Sequence, residues 1–181
     1  MLPKHYYGSA SFSIRDKQMT ESSLTSLYQQ LILEHYRNPR NQSEIEDYTA
    51  EAYASNPLCG DEICIQLRLA EDIINDIRFI GKGCSISQAS VSIMTSIVKG
   101  KSCDQAIQLA GRFAEMMQGN QEAAADISMG DLRALQGVSK FPVRIKCALL
   151  GFDALRQALQ KDQGVSKNVY SKREAIHNDA P

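Results

Sequence analysis

The sequence predicts an α+β fold: a small antiparallel sheet of about three strands covered by helices. Three observations lead there. Ile63, Ile65, Leu67 and Leu69 alternate with Cys64, Gln66 and Arg68, so one face of this segment is buried and the other exposed. Residues 73–80 return as a second strand after a two-residue turn at Glu71-Asp72, which makes a hairpin. From Ile86 onward the apolar spacing lengthens to three and four, the period of a helix. Strands followed by helices belong to the α+β class rather than to alternating βα units.

Leu24, Leu27, Tyr28, Leu31 and His35 recur at helical spacing from about Ser22, and Asn38-Pro39-Arg40-Asn41 ends that helix. A weaker strand is expected around Ala50 to Ala54, ahead of the hairpin. Ile86, Ala89, Ile93, Met94, Ile97 and Val98 form a helical stripe that stops at Gly100. Ser102 is placed to cap the next helix, on which Ala106, Leu109, Ala110, Phe113 and Met117 share a face. Gly119 to Gly130 reads as loop or weak helix. The last helix opens at Pro142, a favoured first-turn residue, and runs to about Gln160. The expected organisation is a disordered extension over 1–21, one domain over 22–160 and a disordered polar tail over 161–181.

Composition excludes several classes of function. The 181 residues carry 20 basic and 21 acidic side chains, a net charge of −1, so no basic surface favours nucleic acid or an anionic membrane. No apolar run approaches the roughly 18 residues of a membrane span. Residues 1–20 hold Lys4, Arg15 and Lys17 against Asp16 but lack the amphipathic Arg-rich pattern of a transit peptide. Five cysteines, an odd number without a secretory segment, fit a reducing cytoplasmic setting and metal or sulfur chemistry better than a disulfide framework.

Three of those cysteines stand apart: Cys59 in NPLCGDE, Cys84 in GKGCSIS and Cys147 in VRIKCAL. Asp61 follows Cys59 by two positions, and three thiolates with one carboxylate complete a tetrahedral set for one divalent ion, zinc above all. Cys84 lies 25 positions after Cys59, and Cys147 a further 63, so only a folded scaffold can unite them. Gly60 allows the sharp turn that a shared ion needs, and Pro57 restrains the approach. Cys84 sits where a strand gives way to a helix, whose amides would stabilise its thiolate. On the last helix, Cys147 projects roughly 130° from the stripe formed by Ile145, Ala148, Leu149, Phe152, Leu155 and Leu159. A packing cysteine would lie on that stripe. Arg144 and Lys146 are placed to offset negative charge there, or to serve only as solvated helix residues.

Each thiol also has a plain reading. Alone, Cys84 or Cys147 would be an inert buried cysteine, and the aspartate of Cys-Gly-Asp a turn residue. Cys64, on the polar face of a strand, and Cys103, in a helix first turn, have no partnering pattern. His5 and His177 fall in the tails and His35 in the first helix, which argues against a zinc finger. A domain of this size does not need zinc merely to fold.

Taken together, NPLCGDE, GKGCSISQAS and FPVRIKCALL resemble the IscU/NifU amino-terminal family of iron–sulfur cluster assembly proteins, over about residues 22–160. The SufU branch is the nearest match. The long segment between the second and third cysteines carries FAEMMQG and GDLRALQGVSKFP, and Lys146 precedes Cys147 where IscU scaffolds carry histidine. The chaperone-recognition segment of IscU is altered to Lys140-Phe141-Pro142-Val143-Arg144.

The resemblance implies a fold of the SufE/IscU type, with zinc on Cys59, Asp61, Cys84 and Cys147. It implies a zinc-dependent sulfurtransferase that takes persulfide sulfur from a SufS-type cysteine desulfurase and passes it to downstream Suf scaffold proteins. Cys59, on a loop, is the expected acceptor, released when a desulfurase histidine takes its place on the ion. The alternative is an IscU-like scaffold on which a [2Fe-2S] cluster, an iron cofactor, forms at the same ligands. A purely structural zinc module is the third reading.

Overall fold

The computed structural model describes the backbone over residues 14–162 and side chains over 25–160. Helix α1 spans Ile14–Arg37, so it starts eight residues before Ser22, in a polar run whose residues favour helix without forming an apolar stripe. The remainder of the extension expected over 1–21, residues 1–13, lies outside the described residues, as does the expected tail from residue 163. After α1, Asn38 closes the helix through its amide to Glu34 O at 2.8 Å, and Pro39 cannot continue it.

Three strands follow: β1 Ala50–Asn56, β2 Asp61–Ala70 and β3 Ile73–Lys82. They form an antiparallel sheet in sequence order, with β2 central, as the alternating pattern predicts. The register pairs Ala54 with Ile63 and Ile63 with Gly81, and places Asn56 opposite Asp61. Glu71, at φ 55°, makes the tight hairpin turn. Because the strands alternate in direction, β1 and β3 both end at the edge where β2 begins.

Helices then cover the sheet: α2 Ser85–Val98, α3 Cys103–Met117, α4 Gln121–Ala125, a 3-10 segment Ile127–Lys140 kinked at Gly130, and α5 Pro142–Asp162. Ser102 caps α3 as expected and does so reciprocally, since Gln105 N donates to its Oγ while Ser102 N donates to Gln105 Oε1. One core joins Ala52, Ile63, Ile65, Leu67, Ile77 and Phe79 of the sheet to α2 and α5. Phe113 of α3 stacks on Phe152 of α5 with centroids 4.6 Å apart. Among the described residues, no helix is long and apolar enough to cross a membrane.

Two expectations about exposure need correction. Cys64 and Gln66, assigned to an open face of β2, are buried. The segment between α1 and β1 crosses that face: Ile45 N donates to Gln66 Oε1 at 2.8 Å, and Gln66 Nε2 donates to Glu51 Oε1 at 3.0 Å. Alternation reports polarity, and here a polar side chain is buried because its hydrogen bonds are made within the fold. Likewise α5 is buried beyond its apolar stripe, because it packs on β1, β2 and α2 together.

His35 locks α1 to α2. It is buried, with Nδ1 2.8 Å from Ser92 Oγ, which also accepts from Arg40 N at 2.8 Å. Ser92 Oγ thus ties His35 and the chain just after α1 to α2, while His35 Nε2 is buried without a hydrogen-bond partner. Burial, then the Arg40 charge, hold the His35 pKa below its usual 6.5, against smaller opposing effects of Asp131 and Glu34. A histidine with a lowered folded-state pKa contributes stability above the unfolded value that is lost as pH falls through the folded one. We therefore expect the urea midpoint to drop between about pH 7.5 and pH 5.5, and His35→Gln to flatten that drop. An equal drop in the variant would assign the acid sensitivity to other groups.

Candidate metal centre

The shared edge of the sheet gathers the motif residues. β1 ends at Asn56, whose carbonyl accepts from Cys59 N at 3.2 Å and Gly60 N at 2.9 Å. Gly60 takes φ +70°, a conformation that disfavours side-chain-bearing residues, and so returns the chain into β2 within four residues of Asn56. Asp61, the first residue of β2, is fully buried, whereas Cys59 on the turn is half-buried.

Strand β3 delivers Cys84 to the same edge. Its backbone N donates to Asp61 Oδ1 at 2.8 Å, and its Sγ lies 3.4 Å from Asp61 Oδ2. A Cβ on Gly83 would stand 2.7 Å from Asp61 Oδ1 and 2.6 Å from Ser87 Oγ, so only glycine leaves room for the carboxylate. Cys84 is the N-cap of α2, but its thiol makes no capping bond. The sulfur instead lies against Asp61 and, at 3.8 Å, Ser87 Oγ.

Helix α5 supplies Cys147 from its second turn. The side chain is fully buried, and its Sγ lies 3.3 Å from Cys59 Sγ. Its offset from the apolar stripe therefore turns it toward the other thiols and away from solvent. Ligand-capable atoms of Cys59, Asp61 and Cys147 all lie within 4.8 Å of one another. Cys84 stands outside that mutual set and joins it through Asp61. The four residues singled out in the sequence thus meet at one place, three of them tightly.

The electrostatics suit a cation. Burial pushes the Cys147 thiol far up from its ordinary pKa, reinforced by its hydrogen bond with Cys59 and by the negative character of Asp61 and Cys84. No lysine or arginine among the described residues pairs with Asp61, and Arg144 and Lys146 are exposed with no bond to the cluster. A buried carboxylate among thiols, without a basic side chain, is a donor set that a divalent ion would complete. The set fits zinc, and three cysteines equally suit an iron–sulfur cluster. Cys64 and Cys103 lie apart from the cluster, Cys64 against Glu51.

Asn56 carries a role that the sequence reading missed. Its Nδ2 donates to Cys147 Sγ at 3.7 Å, and its Oδ1 accepts from Leu58 N at 3.2 Å. Its place beside Pro57, ahead of a turn, was the available signal. The site is also rimmed by apolar surface: Leu58, next to Cys59, is 72% exposed, and Phe141 and Val143 at the start of α5 are 61% and 63% exposed.

The profile of the NifU-like N terminal domain matches residues 27–148. The chain is 46% identical over 143 residues to the zinc-dependent sulfurtransferase SufU of Bacillus subtilis, covering 79% of this chain and 96% of that protein. It is 42% identical over 143 residues to the iron–sulfur cluster assembly scaffold protein IscU of Streptococcus pyogenes, covering 79% of this chain and 89% of that protein. Among solved structures, a putative SUF-system scaffold protein from Fervidobacterium islandicum superposes with a TM-score of 0.65 at 29% identity, covering 71% of this chain and 93% of that one. The three-stranded sheet, its helical cover and the extent of these matches agree: the chain belongs to the NifU-like N-terminal domain family of iron–sulfur cluster assembly proteins.

Proposed function

We propose that this protein is a zinc-dependent sulfur acceptor that takes sulfane sulfur from a SufS-type cysteine desulfurase and hands it to downstream Suf scaffold proteins. The observation that carries the reading is the meeting of Cys59, Asp61 and Cys147, with Cys84 bound to the same carboxylate. Zinc would be held by Cys59, Asp61, Cys84 and Cys147, and when bound would keep the thiols deprotonated at neutral pH. The similarity to Bacillus subtilis SufU supports this reading, as does Lys146 ahead of Cys147.

The four groups differ in what the chain lets them do. Cys84 and Cys147 are fixed by helices and Asp61 by a strand, whereas Cys59 rides a short turn and is half-buried. Cys59 is therefore the acceptor. Its thiolate attacks the terminal sulfur of the partner's persulfide, the partner's sulfur–sulfur bond breaks, and the partner cysteine leaves as a thiolate. Cys59 then carries the transferred sulfur as its own persulfide, with no net oxidation or reduction. Leu58, Phe141 and Val143 give a partner protein apolar surface beside that thiol.

A second reading, a scaffold on which a two-iron cluster forms at these ligands, draws on the similarity to Streptococcus pyogenes IscU. Metal analysis separates the two. Sulfur transfer predicts about one zinc per chain and stimulation of desulfurase turnover that disappears in Cys59→Ala. Stimulation that survives this substitution moves the acceptor role elsewhere, and a brown protein with labile sulfide from anaerobic cells favours the scaffold.

Asp61→Ala and Gly83→Ala should both keep the fold, because the core forms without the site, while zinc affinity falls by about tenfold or more. Circular dichroism and competition with a chromogenic chelator report these two quantities. Global unfolding of Asp61→Ala would make the centre a structural one.

A further inference from the structure

Asn56 touches both the Cys59 turn and the helix-borne Cys147. It is 5% exposed, ends β1 and pairs in register with Asp61. Three of its atoms are committed: the carbonyl to Cys59 N and Gly60 N, Oδ1 to Leu58 N, and Nδ2 to Cys147 Sγ. The first two functions build the Cys59 turn. The third does not, since Cys147 lies on α5, 91 positions away in sequence.

A packing or turn residue would not need that third contact. Aspartate, or a capping serine, would accept from Leu58 N equally well. A carboxamide accepts from the turn through its oxygen and donates to a buried sulfur through its nitrogen, and this one does both. A hydrogen bond donated to a thiolate withdraws electron density from it. The sulfur that receives the bond becomes a weaker nucleophile and is held in one orientation. Cys59, by contrast, receives no carboxamide: its sulfur accepts from the Cys147 thiol at 3.3 Å, and its backbone amide is held by the Asn56 carbonyl.

We infer that Asn56 is a positioning residue that assigns the two neighbouring sulfurs different tasks: it holds Cys147 as the retained ligand and presents Cys59 as the exchangeable one. The inference rests on the proposed zinc-binding role of this site. It explains how two thiols only 3.3 Å apart can be unequal, because the asymmetry comes from one side chain that bonds to one of them.

The test uses the full chain loaded with cobalt(II), whose thiolate charge-transfer absorption reports the sulfur ligands, together with competition against a chelator. Asn56→Asp keeps an acceptor for Leu58 N and the side-chain shape but removes the donor to Cys147. Asn56→Ala removes both. We expect both variants to shift the charge-transfer band and to lose roughly tenfold in metal affinity. Their far-ultraviolet circular dichroism should remain that of the parent. If Asn56→Asp matches the parent in band position and affinity while Asn56→Ala does not, Asn56 merely shapes the turn and the inference fails. If the parent itself takes up no cobalt in a thiolate-rich site, the zinc-binding reading fails, and the inference with it.

Discussion

The buried carboxylate of Asp61 is the constraint around which this end of the molecule is organised. Among the described residues no cationic side chain pairs with it, yet it sits at zero exposure against the amide of Cys84. Removing an ionised carboxylate from water is costly unless its oxygens find donors or a metal, so every element nearby must be placed to supply them. One oxygen takes the Cys84 amide and the other faces the Cys84 thiol. Gly83 follows from the same demand, because a side chain there would occupy the space of the carboxylate.

The sheet topology makes such a cluster inexpensive to assemble. Antiparallel order brings the end of β1, the start of β2 and the end of β3 to one edge, so two ligand-bearing connections meet without a long loop. Helix α5 then needs only to pass this edge near its start, and its burial against β1, β2 and α2 fixes where it passes. The supporting core is extensive and draws on the sheet together with α2, α3 and α5. Hence the centre can be tuned for exchange while the core keeps the fold.

Differences in burial and anchoring give the four groups distinct prospects. Cys147 is enclosed and bonded by Asn56, Cys84 is held at a helix start, and Cys59 sits on a turn bordered by exposed Leu58. A gradient from rigid interior to accessible loop is what a site needs if one ligand is to leave while the others stay. Phe141 and Val143 extend the apolar border along the start of α5, so a partner that reaches Cys59 also meets hydrophobic surface.

Local chemistry in the sequence determined much of the fold. Period-two alternation placed the hairpin, Ser102 and Pro142 set helix starts, and the four candidate ligands were recognisable by their flanking glycines and by the displacement of Cys147 from its stripe. These are short-range signals, governed by backbone geometry and side-chain periodicity. What required tertiary structure was everything fixed by neighbours distant along the chain. Gln66 is buried with its carboxamide bonded to Ile45 of the preceding loop, His35 of α1 is bonded to Ser92 of α2, and Asn56 reaches a sulfur on the last helix. No local pattern encodes these contacts, because burial and hydrogen-bond partners become definite only when the elements pack.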